Sequence, residues 1–249
     1  MRQLLIIASL IIVSSTSFAY YQLPFPTELI GKEYRAETRE KVSGKLLGES
    51  RIKIGRTGNY VVIVGQATGT YSGKKIDSLV TRYFTLNNGL ASIYFISGEV
   101  SKDGKPWQSY TNQFDWPNLT VAINYLDREK NERKVKSVKL TDKMVNVTEL
   151  DLLAASLPAR GVKTDKVKVL VPDGTTFGMD LKQADGQEEI GGVTCYRIEL
   201  KIDLGLISFV IPNVNYWVTA AKPYRYLRYA GLLGGPGSPD IVQNVVDRR

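Results

Sequence analysis

The chain has 249 residues, with 33 lysines and arginines against 25 aspartates and glutamates, one cysteine and no histidine. The missing histidine excludes Ser-His-Asp and Cys-His catalysis, histidine-ligated zinc and histidine acid–base chemistry, and the lone Cys195 excludes internal disulfides and thiolate metal clusters. The net charge of +8 suits anionic lipid, cell-wall polymer or nucleic acid, but the cations interleave with acids, as in Glu33-Tyr34-Arg35-Ala36-Glu37-Thr38-Arg39-Glu40, the pattern of a solvated strand face.

The chain opens with a cation at Arg2, an apolar stretch from Leu4 to Val13, and small residues at Ser17 and Ala19, which predicts a secretory signal over 1–19 cleaved after Ala19. The apolar stretch is about ten residues, half of the roughly 20 that a spanning helix needs. Tyr20 rather than cysteine follows the cut, so no lipid anchor is expected. Export to the periplasm or beyond, as a protein soluble after cleavage and not integral to a membrane, takes nucleic acid off the list of expected partners. Residues 20–249 are read as a single β-rich domain, with a candidate subdivision near 158–165.

Strand signals then dominate. Thr57-Gly58-Asn59, Asn87-Asn88-Gly89, Asp103-Gly104 and Asp185-Gly186 each lie between β-rich runs and supply the positive φ of tight hairpins. Tyr60 to Val64 and Ile93 to Ile96 are apolar without alternation, which predicts strands covered on both faces or crossing the middle of the sheet. Arg128 to Lys134 reads as a charged hairpin tip. From Thr148 the spacing of Leu150, Leu153, Ala154 and Leu157 predicts a helix face, with Thr148 as N-cap, Glu149 and Asp151 at the positive end, and Pro158 as the stop. Val167, Val169 and Val171 alternate beside Lys166 and Lys168. Ile198, Leu200, Ile202 and Leu204 alternate with Arg197, Glu199, Lys201 and Asp203. Cys195, in Gly192-Val193-Thr194-Cys195-Tyr196-Arg197, reads as a small buried strand residue. The loop Gly231 to Pro239 precedes a closing strand at Ile241 to Val246. The fold expected is mainly β: a curved antiparallel sheet or half-open β-barrel with one principal short helix on its concave side.

The runs Asp151-Leu152-Leu153-Ala154-Ala155 with Arg160, Gly191 to Ile198, and Tyr216-Trp217-Val218-Thr219-Ala220-Ala221-Lys222-Pro223-Tyr224-Arg225 resemble motifs of the exported proteins grouped as domain of unknown function 3108. The resemblance covers Glu149 to Arg160 and Glu188 to Tyr229. The chain departs from it in the Ala-rich helix with Pro158 and in lacking an Asp from Thr219 to Lys222. The resemblance implies an envelope protein on a curved antiparallel sheet and carries no catalytic residues.

A carboxylate pair, as in a glycosidase, or a lysine-based mechanism is the remaining route to catalysis. Glu188-Glu189 follows a turn and Glu149 with Asp151 matches helix-start acids, so both have structural explanations. No EF-hand loop or phosphate-cradling glycine loop is present, and no cofactor or metal is expected. Tyr216, Trp217, Tyr224, Tyr226 and Tyr229 lie close together near the end of the chain. Aromatic residues of strands pack cores, or line the hollow of a half-open barrel around a ligand. The leading expectation is a non-enzymatic envelope protein that binds a lipid, another apolar ligand, a glycan or a partner protein, with these five residues as ligand-binding candidates. The alternatives are an assembly factor pairing through sheet edges and, third, a carboxylate-based hydrolase.

Overall fold

Four two-residue turns generate the first half of the fold. The computed structural model describes residues 21–203, 213–232 and 238–248. In three of the turns, Ser72-Gly73, Asn88-Gly89 and Asp103-Gly104, both central residues have positive φ, the geometry that matches the right-handed twist of hairpin strands. They join the long strands β3 (Leu46–Thr57), β4 (Tyr60–Tyr71), β5 (Lys74–Asn87), β6 (Leu90–Lys102) and β7 (Lys105–Asp115), after β1 (Leu23–Pro24) and β2 (Glu33–Glu40). β8 (Thr120–Asp127) and β9 (Glu132–Lys139) complete an antiparallel meander from β2 to β9. Arg128 to Asn131 is the tip between β8 and β9, while Glu132 to Lys134, expected in the same tip, already belong to β9.

The second half begins with β10 (Met144–Asn146) and α1 (Leu150–Arg160). It continues through β11 (Thr164–Leu170), β12 (Thr176–Gln183), β13 (Glu188–Ile190), β14 (Val193–Asp203), β15 (Val214–Thr219), β16 (Tyr226–Leu232) and β17 (Asp240–Arg248). β10 runs parallel to β11, and the later pairs are antiparallel. The closing strand β17 pairs antiparallel with β2, so the end of the chain joins the halves into one sheet of 17 strands whose terminal strand is β9. Residues 158–165 do not interrupt that sheet: they are the last turn of α1 and the step into β11. In β14, Ile198 and Leu200 are fully buried while Lys201 is exposed, as the alternation predicts; Leu204 lies outside the described residues.

α1 packs on the core face against β1, β12, β15 and β16. Leu153, Ala154 and Leu157 are fully buried as expected, Leu150 is half-buried, and Leu152, Ala155 and Ser156 are buried too, so the helix is enclosed on more than one side. Two boundary expectations are corrected. Thr148 is not the cap: a single 3-10 turn, Val147–Glu149, leads into α1 and is capped by Asn146, whose side chain accepts from the Thr148 N–H at 3.0 Å while Glu149 Oε2 accepts from the Asn146 N–H at 2.7 Å, a reciprocal capping box. The helix also runs through Pro158 to Arg160 and ends at Gly161 with φ 68°; so near the end, the proline ring disturbs only the final turn.

β4 and β6 lie in the middle of the sheet, one of the two expectations for their apolar runs, but the other expectation, cover on both faces, is corrected. Val61 and Ile63 enter the core, but Tyr60, Val62 and Val64 point to the other face and are only half-buried. In β6 the register slips between Tyr83 and Phe84, so that Tyr83 faces Phe95 and Phe84 faces Ile93. This bulge sends Ile93 and Ile96 into the core and leaves Tyr94 and Phe95 outside, with Tyr94 37% exposed. Alternation fails there because the backbone has an extra residue, not because both faces are covered.

The first described residues strap the halves together. Tyr21 donates its hydroxyl to Asp165 Oδ2 of β11 at 2.8 Å, and Leu23 pairs with Ala91 in β6. Among the described residues no helix is long and apolar enough to cross a membrane.

Candidate functional site

The five aromatic residues singled out in the sequence divide between two faces. Tyr216 meets Tyr229 edge-on at 5.2 Å and Tyr226 at 5.8 Å, because a register shift between Trp217 and Val218 brings both β16 tyrosines onto it. Tyr226 donates to Gln243 Oε1 at 2.8 Å and Tyr229 to the Leu232 carbonyl at 2.5 Å. Burial, reinforced by neighbouring tyrosines and Asp151, pushes the Tyr216 and Tyr226 phenols well above their ordinary value. Trp217 points the other way into a small outer cluster with Cys195, Leu227 and Ala230. Its indole N–H donates to Glu188 Oε2 at 2.7 Å and the Arg228 guanidinium lies 5.3 Å from its ring. Glu188 thereby has a structural partner, and the five residues do not form one site.

Tyr224 and Tyr226 do line a cavity with Leu29, Ile54, Leu152 and the Arg82–Asp151 ion pair. Its volume is about 60 Å³, room for roughly two waters and far below the ~300–1,000 Å³ of ligand pockets. The hollow of the sheet is therefore filled, chiefly by α1 and its leucines. Beside it Arg82, 7% exposed, donates to the Thr148 carbonyl and to Asp151 Oδ1 at 3.1 Å, clamping the helix start to β5. Burial drives the Glu149 carboxyl up to about 7 against the opposing pull of the Asn146 N–H and Arg82. Glu149 does not line the cavity.

Ligand-sized concavities lie elsewhere: one of about 610 Å³ beside β13, β16 and β17, and a larger one on the face of β2 to β7 opposite the core. Arg35, Arg51, Gln66, Leu79, Glu99 and Ser109 stand directly across from one another on β2 to β7 and so share a face. The next row, Tyr34, Ile52, Gly65, Val80, Gly98 and Tyr110, faces the core. The outer row borders a groove of about 680 Å³ that also takes in Glu49, Thr68, Asp77 and Arg128. A second hollow of about 530 Å³ shares Leu79, Glu99 and Ser109 with it and extends over Thr81, Ser97, Thr111 and Asn124.

The charges of the groove are largely matched: Arg35 pairs with Glu49 at 3.2 Å and Arg51 with Glu33 at 3.1 Å. Asp77 accepts from the Thr68 hydroxyl at 2.6 Å, which with Lys75 holds its carboxyl below the usual range despite the opposing desolvation. The groove presents fixed hydroxyl, amide and paired ionic groups on a hydrogen-bonded scaffold. That suits recognition of a ligand rich in hydrogen-bonding groups and low in net charge.

Sequence reasoning missed this groove. Its residues look like ordinary solvated strand positions, and only the strand register brings them together. Among the described residues no cluster of histidine, cysteine or acids is arranged to hold a metal ion. In comparisons with known proteins, no family model, no curated protein and no solved structure matches the chain.

Proposed function

We propose that this is a non-enzymatic binding protein of the cell envelope whose ligand is a polar, uncharged, hydroxyl-rich polymer, a glycan, held along the outer face of β2 to β8. The observation that carries the reading is the groove of about 680 Å³ lined by hydroxyl and amide side chains and matched charges. A lipid in the hollow is less well supported, because an acyl chain would have to displace α1 from the core. Strand addition at β9 meets Lys134, Lys136 and Lys139, the residues that blunt sheet edges. A carboxylate hydrolase needs a proton-donating acid in the groove; of the acids that line it Asp77 is held ionised and Glu49 is paired with Arg35, which leaves that role to Glu99, while Glu149 is buried apart. Location in the envelope rests on the signal-like first 19 residues.

The test is titration calorimetry of the protein with insoluble-polymer fragments made soluble, namely β-linked oligosaccharides of two to six sugar units. Binding is expected, and Glu99→Ala combined with Gln66→Ala is expected to weaken it at least tenfold with an unchanged circular dichroism spectrum. Equal affinity in parent and double variant would remove the groove as the site.

A further inference from the structure

The outer face carries a second feature that neither the core nor the groove accounts for. Tyr60 stacks on Tyr94 with centroids 5.1 Å apart and 28° between planes, Tyr83 meets Tyr60 at 6.3 Å, and Phe95 meets Tyr83 at 5.9 Å. None of the four belongs to the core cluster or packs against it. Tyr94 is held outward by the β6 bulge, a backbone device that places two successive aromatic side chains, Tyr94 and Phe95, on the solvent side. Tyr94 is exposed and Tyr60, Tyr83 and Phe95 are half-buried without joining the core, and aromatic surface gathered on an outer face marks contact with something else.

The cluster is continuous with the groove. Tyr83 and Phe95 are two residues along β5 and β6 from Thr81 and Ser97, which line the groove's extension, and positions two apart share a face. From the Leu79–Glu99 row to the Tyr60–Thr85 row is six strand residues, about 20 Å. An extended ligand lying along β5 and β6 would cross hydroxyl and amide groups first and aromatic rings next.

We propose that Tyr60, Tyr83, Tyr94 and Phe95 form a stacking platform that extends the groove and receives the apolar faces of pyranose rings, so that the ligand is a linear glycan several sugars long. This rests on the groove reading above. Pyranose rings combine an apolar C–H face with a polar rim, which suits a sheet surface that is aromatic at one end and hydroxyl-lined at the other. Stacking requires the ring and not the phenol hydroxyl, so Tyr94→Phe is expected to bind as the parent does.

The experiment uses β-1,4-linked N-acetylglucosamine oligomers of two to six units, titrated against the full chain, Tyr94→Ala, Tyr94→Phe and Glu99→Ala, each checked by circular dichroism and melting temperature. Affinity should rise with oligomer length. Tyr94→Ala should lower the affinity for the longest oligomer several-fold to about tenfold while Tyr94→Phe leaves it unchanged. Weakening by Glu99→Ala with indifference to Tyr94→Ala would overturn the platform and leave the groove standing. Weakening by Tyr94→Ala alone would keep the platform and remove the groove. No binding at any length would overturn both, as would loss in Tyr94→Ala of binding to phosphatidylglycerol vesicles in a protein that ignores the oligomers.

Discussion

Glu149 shows how a single carboxyl can serve the fold at one pH and strain it at another. Its burial holds the folded-state pKa at about 7, above the roughly 4.3 of an exposed glutamate, so the folded state binds a proton more tightly than the unfolded chain. The sign follows: the contribution to stability is fully present below pH 4 and is lost as the pH rises through 7. The loss is on the order of 4 kcal/mol, since each pKa unit corresponds to about 1.4 kcal/mol. Glu149→Gln keeps an oxygen to accept the Asn146 N–H and does not titrate. Urea denaturation of both proteins from pH 5 to pH 8 should therefore show the variant gaining stability relative to the parent as pH increases. A constant difference across that range would mean that Glu149 is ionised in the fold throughout. Asp165 has the opposite sign. Burial raises its pKa, but Lys143, Arg160, Tyr21 and the Lys166 N–H together outweigh that and hold it well below the usual carboxylate range, so its contribution is lost only as the pH falls below about 4.

At the scale of elements, α1 is a core plug and not a lid. Leu153 and Leu157 are completely buried, and burying each such side chain contributes roughly 1.5–3 kcal/mol. Leu153→Asp should leave no cooperative thermal transition, because it places an unpaired charge in that interface, and Leu153→Ala should cost about 2–5 kcal/mol. A melting temperature for Leu153→Asp within a few degrees of the parent would show that the helix is peripheral. The helix, the hairpin turns and the alternation of β14 were legible because each rests on residues within a few positions of one another. Trp217 was misgrouped with Tyr216 even though adjacent strand residues point to opposite faces, a signal that was present. The β6 bulge was not legible: Ile93-Tyr94-Phe95-Ile96 has the composition of a buried run, and only its pairing with β5 decides which two residues turn outward. The groove was hidden for the same reason, since Arg35, Gln66, Leu79 and Glu99 are neighbours only through four successive registers.

For the whole molecule the question is whether the halves unfold as one. β17 lies between β16 and β2, the Tyr21 to Phe25 strap reaches from Asp165 to β6 across α1, and Lys134 of β9 meets Asp173 in the β11–β12 turn at 2.7 Å. Loss of the second half would uncover the edge of β2 and the seat of the strap, so neither half has a reason to persist alone. The three tryptophans allow this to be measured, since Trp107 and Trp116 belong to the first half and Trp217 to the second. One variant would carry Trp107→Phe and Trp217→Phe, leaving Trp116, whose indole donates to the Ile93 carbonyl at 2.6 Å. The other would carry Trp107→Phe and Trp116→Phe, leaving the buried Trp217. In each, the fluorescence transition in urea should coincide with the loss of far-ultraviolet circular dichroism, which follows the entire sheet. Separation of the two signals in either variant would show that the chain divides near residues 158–165 into units of independent stability, and that the β17–β2 pairing joins two domains instead of completing one.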